Sequence, residues 1–99
     1  MKRIEITLRD QPHQSPNAVS ETVDGQAVII NLAKGTYISL NETGSFLWDR
    51  LDGKTSLESI AQALAEAYDV DITITRPDVL DLARELLHEG LITLAAERA

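Results

Sequence analysis

The stretch from Val19 to Trp48, VSETVDGQAVIINLAKGTYISLNETGSFLW, constrains this chain more than any other. Asp24-Gly25 supplies the positive φ angles that a two-residue hairpin loop requires, between a first strand at Val19–Val23 and a second at Gln26–Leu32. Ala33-Lys34-Gly35 fits a three-residue loop with Gly35 in the left-handed position, before a third strand at Thr36–Leu40. Asn41 is a good helix N-cap immediately afterwards. The reading is therefore a three-strand meander feeding straight into a helix. Its last strand has a neighbour on one side only, so that strand's outward N–H and C=O groups must be covered, blunted or used.

Counting outward from the two turns pairs Val23 with Gln26 and Leu32 with Thr36. Alternation then puts Val19, Val23, Val28, Ile30, Leu32, Ile38 and Leu40 on one face, and Ser20, Thr22, Ala27, Ile29, Asn31, Tyr37 and Ser39 on the other. The first set is expected to be the core face. Thr36, Ile38 and Leu40 would direct their backbone groups at the second strand, which leaves those of Tyr37 and Ser39 pointing outward.

Three helices are expected after the meander. The first runs from Asn41 to about Leu51, buries Phe46, Leu47, Trp48 and Leu51, and ends at Asp52-Gly53; Gly44 weakens its first turn. Thr55 to Glu58 spells a capping box for a second helix through about Tyr68. Asp69 to Ile74 reads as a connector in which Ile72 and Ile74 could be extended, with a third helix starting near Thr75-Arg76-Pro77-Asp78 and stopping before Gly90. In that helix Val79, Leu80, Leu82, Ala83, Leu86 and Leu87 span an arc of about 160°, wider than the stripe of about 100° that a simple surface helix buries. Leu91 to Leu94 is a short extended segment, and residues 95–99 are expected to fray. At the other end Ile4, Ile6 and Leu8 alternate with Glu5, Thr7 and Arg9 as in a half-buried strand. Residues 11–17, with two prolines, read as a linker that sets this arm apart from a domain over residues 18–94. The arm could add to the sheet, swap onto a second copy as a homodimer contact, or stay partly disordered.

At 99 residues the chain supports one domain with a small core, and 43% hydrophobic with 25% charged residues is ordinary for a globular protein. No apolar run suits a membrane span and no export signal is present, so the expected location is the cytoplasm. A net charge of -7 opposes nucleic acid and suits a basic or neutral partner. Without cysteine there is no thiolate chemistry. His13 and His88 lack partners at metal-binding spacing and are expected to be solvated. Glu58, Glu66, Asp78, Asp81, Glu85 and Glu89 are read as caps and solvated helix faces, and no nucleophile or phosphate-loop motif occurs. The expectation is a protein without enzymatic activity, cofactor or metal.

The order of elements implies a winged helix-turn-helix-like α+β fold, a three-stranded antiparallel sheet followed by three helices. A DNA-binding regulator is the competing reading. The third helix opposes it: between Arg76 and Glu89, two arginines face four carboxylates. The runs DGQAVIINLAKGTYISLNETGSFLW, LDGKTSLESIAQALAEAYDV and DVLDLARELLHEGLI together resemble the PqqD-like family, that of pyrroloquinoline quinone biosynthesis protein D. The resemblance covers about residues 17–94.

That resemblance implies a recognition element for ribosomally made precursor peptides, in which the leader segment adds to the edge of the third strand and lies in a groove against the third helix. Carried onto this chain, it points to Thr36, Tyr37, Ile38, Ser39 and Leu40 for backbone pairing, and to Val79, Leu82, Ala83 and Leu86 for side-chain pockets. Ala83 and Leu86 could equally be core. The implied partners are a precursor leader peptide and a separate maturation enzyme, either a leader peptidase or a radical SAM protein, to which a stand-alone subunit would deliver it. The alternating arm and the Gly-Thr-Tyr third strand favour the lasso-peptide type over the quinone-cofactor type. A dimerising interaction module is the remaining alternative.

Overall fold

A computed structural model describes residues 5–94. In chain order these form β1 (Pro12–Gln14), β2 (Ala18–Val23), β3 (Gln26–Asn31), β4 (Thr36–Ser39), α1 (Glu42–Asp49), α2 (Leu57–Tyr68), α3 (Ile72–His88) and β5 (Ile92–Leu94). β2, β3 and β4 make an antiparallel sheet in that order, and β1 pairs with β5 in a separate two-stranded ribbon. α1 packs on one face of the larger sheet and joins α2 and α3, which pack on each other, giving the expected α+β architecture.

The first hairpin follows its turn. Val23 lies opposite Gln26, and Asp24 and Gly25 both have positive φ, at 54° and 79°. The second hairpin differs by one residue: Asn31, not Leu32, lies opposite Thr36, so the loop holds Leu32 to Gly35. The Asn31 side chain accounts for the longer loop. Its Oδ1 accepts from the N–H groups of Ala33 and Lys34 at 3.0 and 3.1 Å, while Gly35 N–H donates to the Asn31 carbonyl at 2.7 Å.

The shift changes which residues share a face. Ile29 now stands beside Ile38, and the buried face of the sheet carries Ala27, Ile29, Asn31 and Leu40, with Ile38 half-buried. Val19, Val23, Ile30 and Leu32, expected in the core, are exposed on the far side with Tyr37, and Val28 there is half-buried. The physical reason lies in α1, which seats on Ala27. That residue's N–H donates to the buried Ser45 hydroxyl at 2.7 Å, and Trp48 Nε1 donates to Ser20 Oγ at 3.0 Å. A small residue and two hydroxyls suit a close helix–sheet approach, whereas the bulkier valines do not, so apolar count alone pointed to the wrong face.

The helix boundaries show two further departures. Ser56, not Thr55, caps α2, accepting from Ser59 N–H at 3.1 Å, and Thr55 instead hydrogen-bonds to the Asp52 carboxylate. α3 begins at Ile72 rather than Thr75, because Asp71 caps it through Thr73 N–H at 2.8 Å and the buried Thr75 hydroxyl donates to the Ala61 carbonyl of α2 at 2.9 Å. These anchors outweigh Pro77, which removes one internal helix bond.

Residues 5–9 form no strand, and residues 12–14, expected as linker, are β1. Ile6 is buried in the common core, and the carbonyls of Leu8 and Asp10 accept from the free N–H groups of Glu58 and Leu57 at the start of α2. This part of the arm thus packs onto its own chain as a cap for α2; Ile4 and the residues expected to fray, 95–99, lie outside the described residues. His13, expected to be solvated, packs in β1 with a ring nitrogen 2.8 Å from Thr93 Oγ1 of β5.

Glu58, free of the expected capping box, takes a two-pronged bond from Arg76 of α3, with Nε to Oε1 at 3.0 Å and Nη2 to Oε2 at 2.8 Å. The Arg76 bonds, followed by that from Gln62, hold the Glu58 carboxyl below its ordinary value of 4.5. Because the folded-state value is the lower one, this contribution to stability is complete above about pH 4.5 and is lost as pH falls through the folded value. Thermal melts should therefore show a Glu58→Gln protein losing less of its Tm than wild type on acidification below that pH; identical acid profiles would deny the pair this role.

Candidate functional site: an open sheet edge beside the last helix

β4 pairs with β3 on one side, and no described strand lies on its other side. The Leu40 N–H donates to the Ala27 carbonyl at 2.8 Å, which identifies Ala27–Leu40 as a bonding pair. Antiparallel alternation makes Ile29–Ile38 the next one, so Ile38 and Leu40 direct their backbone groups inward to β3. The N–H and C=O of Tyr37 and Ser39 accordingly point away from the sheet. The side chains of both are exposed, Tyr37 at 74%.

Between this edge and α3 lies a trough. Its larger cavity, of about 500 Å³, has an apolar floor of Ile38, Leu40, Leu47, Leu64, Val79 and Leu82, and carboxylates of Asp78, Asp81 and Glu85 along the α3 side. A smaller cavity of about 160 Å³ continues it toward the start of β4, between Thr36–Ile38 and Glu85, Glu89 and Leu91. Gly44 at the start of α1 helps to keep the larger cavity open. A Cβ there would sit 3.3 Å from Leu82 Cδ2, tighter than ordinary van der Waals contact.

Of the residues expected at a binding site, Thr36 to Leu40 form one wall of the trough, and Val79 and Leu82 part of the other. Ala83 and Leu86 are fully buried and line neither cavity; the structure places them in the core. Sequence reasoning missed Leu47 and Leu64 in the floor, and it assigned Asp78, Asp81, Glu85 and Glu89 to a solvated face. Their spacing of three to four residues already placed them on one helical stripe. What it did not show was that this stripe borders the sheet edge.

Among the described residues no three metal-ligating side chains converge, and no helix is long and apolar enough to cross a membrane. What the site offers is unpaired backbone, an apolar trough and a row of carboxylates. That combination defines a winged-helix-like domain in which, among the described residues, no further strand pairs with the β4 edge.

The chain belongs to the family of coenzyme PQQ synthesis protein D (PqqD), whose profile matches residues 26–92. Two solved structures share the fold. One is TbiB1 in complex with the TbiA(beta) leader peptide, 31% identical, with a TM-score of 0.74 over 81% of this chain and 93% of that one. The other is lasso peptide synthetase B1 complexed with the leader peptide, 25% identical, with a TM-score of 0.75 over 84% of this chain and 98% of that one. Comparison with curated proteins finds no match.

Proposed function

We propose that this protein is a non-catalytic peptide-binding subunit that captures the leader of a ribosomally synthesised precursor as an added strand on β4 and presents it to a separate maturation enzyme. The observation that carries this reading is the pair of outward-facing backbone residues, Tyr37 and Ser39, set beside an apolar trough of about 500 Å³. Main-chain bonding there would provide affinity largely independent of sequence, and the trough would provide selectivity through alternate side chains. Both similar structures hold a leader peptide, and one is a lasso peptide synthetase component. That favours a lasso-type pathway, with a leader peptidase as partner, over a pathway with a radical SAM enzyme.

The direct test is a titration of the isotope-labelled protein with the leader peptide of a precursor encoded beside its gene, followed by NMR. Strand addition requires the Tyr37 and Ser39 amides to gain protection from hydrogen exchange, with shift changes running along Thr36–Leu40 and the Asp78–Glu85 flank of α3. The Ile38 amide, already bonded to β3, should change least in protection. Binding that leaves the Tyr37 and Ser39 amides unprotected would place the peptide elsewhere and end the proposal.

A further inference from the structure

We propose that the trough selects peptides carrying a Lys or Arg two residues from an apolar anchor, with the cation held by the α3 carboxylates. This rests on the strand-addition reading and adds to it the chemistry of the guest. Asp78, Asp81, Glu85 and Glu89 follow one another at three- or four-residue spacing along the side of α3 that borders the trough. Neither cavity is lined by a Lys, Arg or His. Among the described residues the one ion pair made by this row is the exposed Arg84–Asp81 contact at 3.2 Å. Asp78, Glu85 and Glu89 therefore direct net negative charge into a concave site with an apolar floor, where low-dielectric walls concentrate the field.

The position of the cation follows from two repeats. A strand added to β4 sends every second side chain into the trough, at intervals of about 6.6 Å. α3 presents a new turn about every 5.4 Å. The larger cavity adjoins Ile38–Leu40 and has the apolar floor; the smaller adjoins Thr36–Ile38 and lies between Glu85 and Glu89. Their centres are thus displaced by about two residues along β4. A guest side chain such as Leu or Phe seated over Leu47, Leu64 and Leu82 puts its neighbour two positions away at the smaller cavity. A long stem ending in an ammonium or guanidinium fills that space and meets both carboxylates, whereas an acidic side chain there would be repelled.

The experiment is selection of a phage-displayed random linear peptide library on the full chain, run in parallel on a Ser39→Pro protein and on an Asp78→Asn/Glu85→Gln/Glu89→Gln protein. Wild type is expected to enrich Lys or Arg two residues from Leu, Ile or Phe. The charge-neutralised protein should lose that preference. Measured by fluorescence anisotropy, it should bind the best enriched peptide about tenfold more weakly, with a flatter salt dependence. If wild type enriches peptides without basic residues, and the neutralised protein binds them equally while Ser39→Pro does not, the charge proposal is overturned and strand addition stands. If wild type enriches nothing that Ser39→Pro does not, both are overturned.

Discussion

A Ser39→Pro protein is expected to fold with nearly wild-type stability and to bind the leader peptide at least about a hundredfold more weakly. Proline removes a backbone donor and fixes φ at a value an extended edge strand accepts. At Ser39 the lost N–H is an outward one, opposite Val28 in a non-bonding pair, so the β3–β4 ladder keeps its bonds. The guest strand would lose a main-chain bond and meet the pyrrolidine ring where its own carbonyl should lie. Together these cost roughly 3 kcal/mol of binding, which corresponds to about two decades in Kd. Ile38→Pro is the informative contrast, because that N–H belongs to the bonding pair with Ile29; its loss should lower stability directly. Calorimetric titration with the leader and a melt followed by circular dichroism separate the two effects. A folded Ser39→Pro protein with undiminished affinity would remove β4 as the docking edge.

How far this site could be read without coordinates depended on whether local chemistry or tertiary contact fixed each element. Asp24-Gly25 dictates its own turn, so the register of the first hairpin followed from sequence alone. Asn41 likewise caps α1 through Gly44 N–H at 2.8 Å, as its residue type and position suggested. The faces of the sheet did not follow, because β3 is apolar on both sides: Ala27 and Ile29 inward, Val28 and Ile30 outward. Only contact with α1 decides between them. The start of α3 was misplaced for a similar reason, since Pro77 is a strong local stop signal and the Thr75 bond to Ala61 is invisible to any local rule. The outward pointing of Tyr37 and Ser39 survived the one-residue error in the second loop. Both the expected register and the observed one put Thr36, Ile38 and Leu40 in bonding positions and Ile38 and Leu40 on the core face, so the outward direction of Tyr37 and Ser39 was unchanged while the faces of β2 and β3 were inverted.

The residue whose reading changes most is Asn31, expected on a solvated face and found 4% exposed. Its side chain makes three bonds, accepting from Ala33 and Lys34 N–H and donating from Nδ2 to the Glu89 carbonyl at 2.9 Å. It thereby ties the loop before β4 to the end of α3, the two elements that bound the smaller cavity. Asn31→Ala is expected to cost about 2 kcal/mol, since the Glu89 carbonyl and two loop amides lose their partner, the amides in an exposed loop where water takes over part of the bonding. It should also weaken leader binding through a loosened trough, beyond what the unfolded fraction explains. Asn31→Asp distinguishes hydrogen bonding from packing. It keeps the acceptor for the loop amides, whose bonds favour the carboxylate, but burial together with the oxygen set against the Glu89 carbonyl favours the protonated acid that can still donate, and outweighs those exposed-loop amides. The carboxyl's folded-state value would then lie above its unfolded one, so the variant's stability relative to wild type should be greatest below about pH 4 and fall as pH rises through the folded value. Denaturant titrations at a series of pH values measure this directly. A pH-independent difference between Asn31→Asp and wild type would mean that the Nδ2 donor contributes nothing to holding the loop against α3.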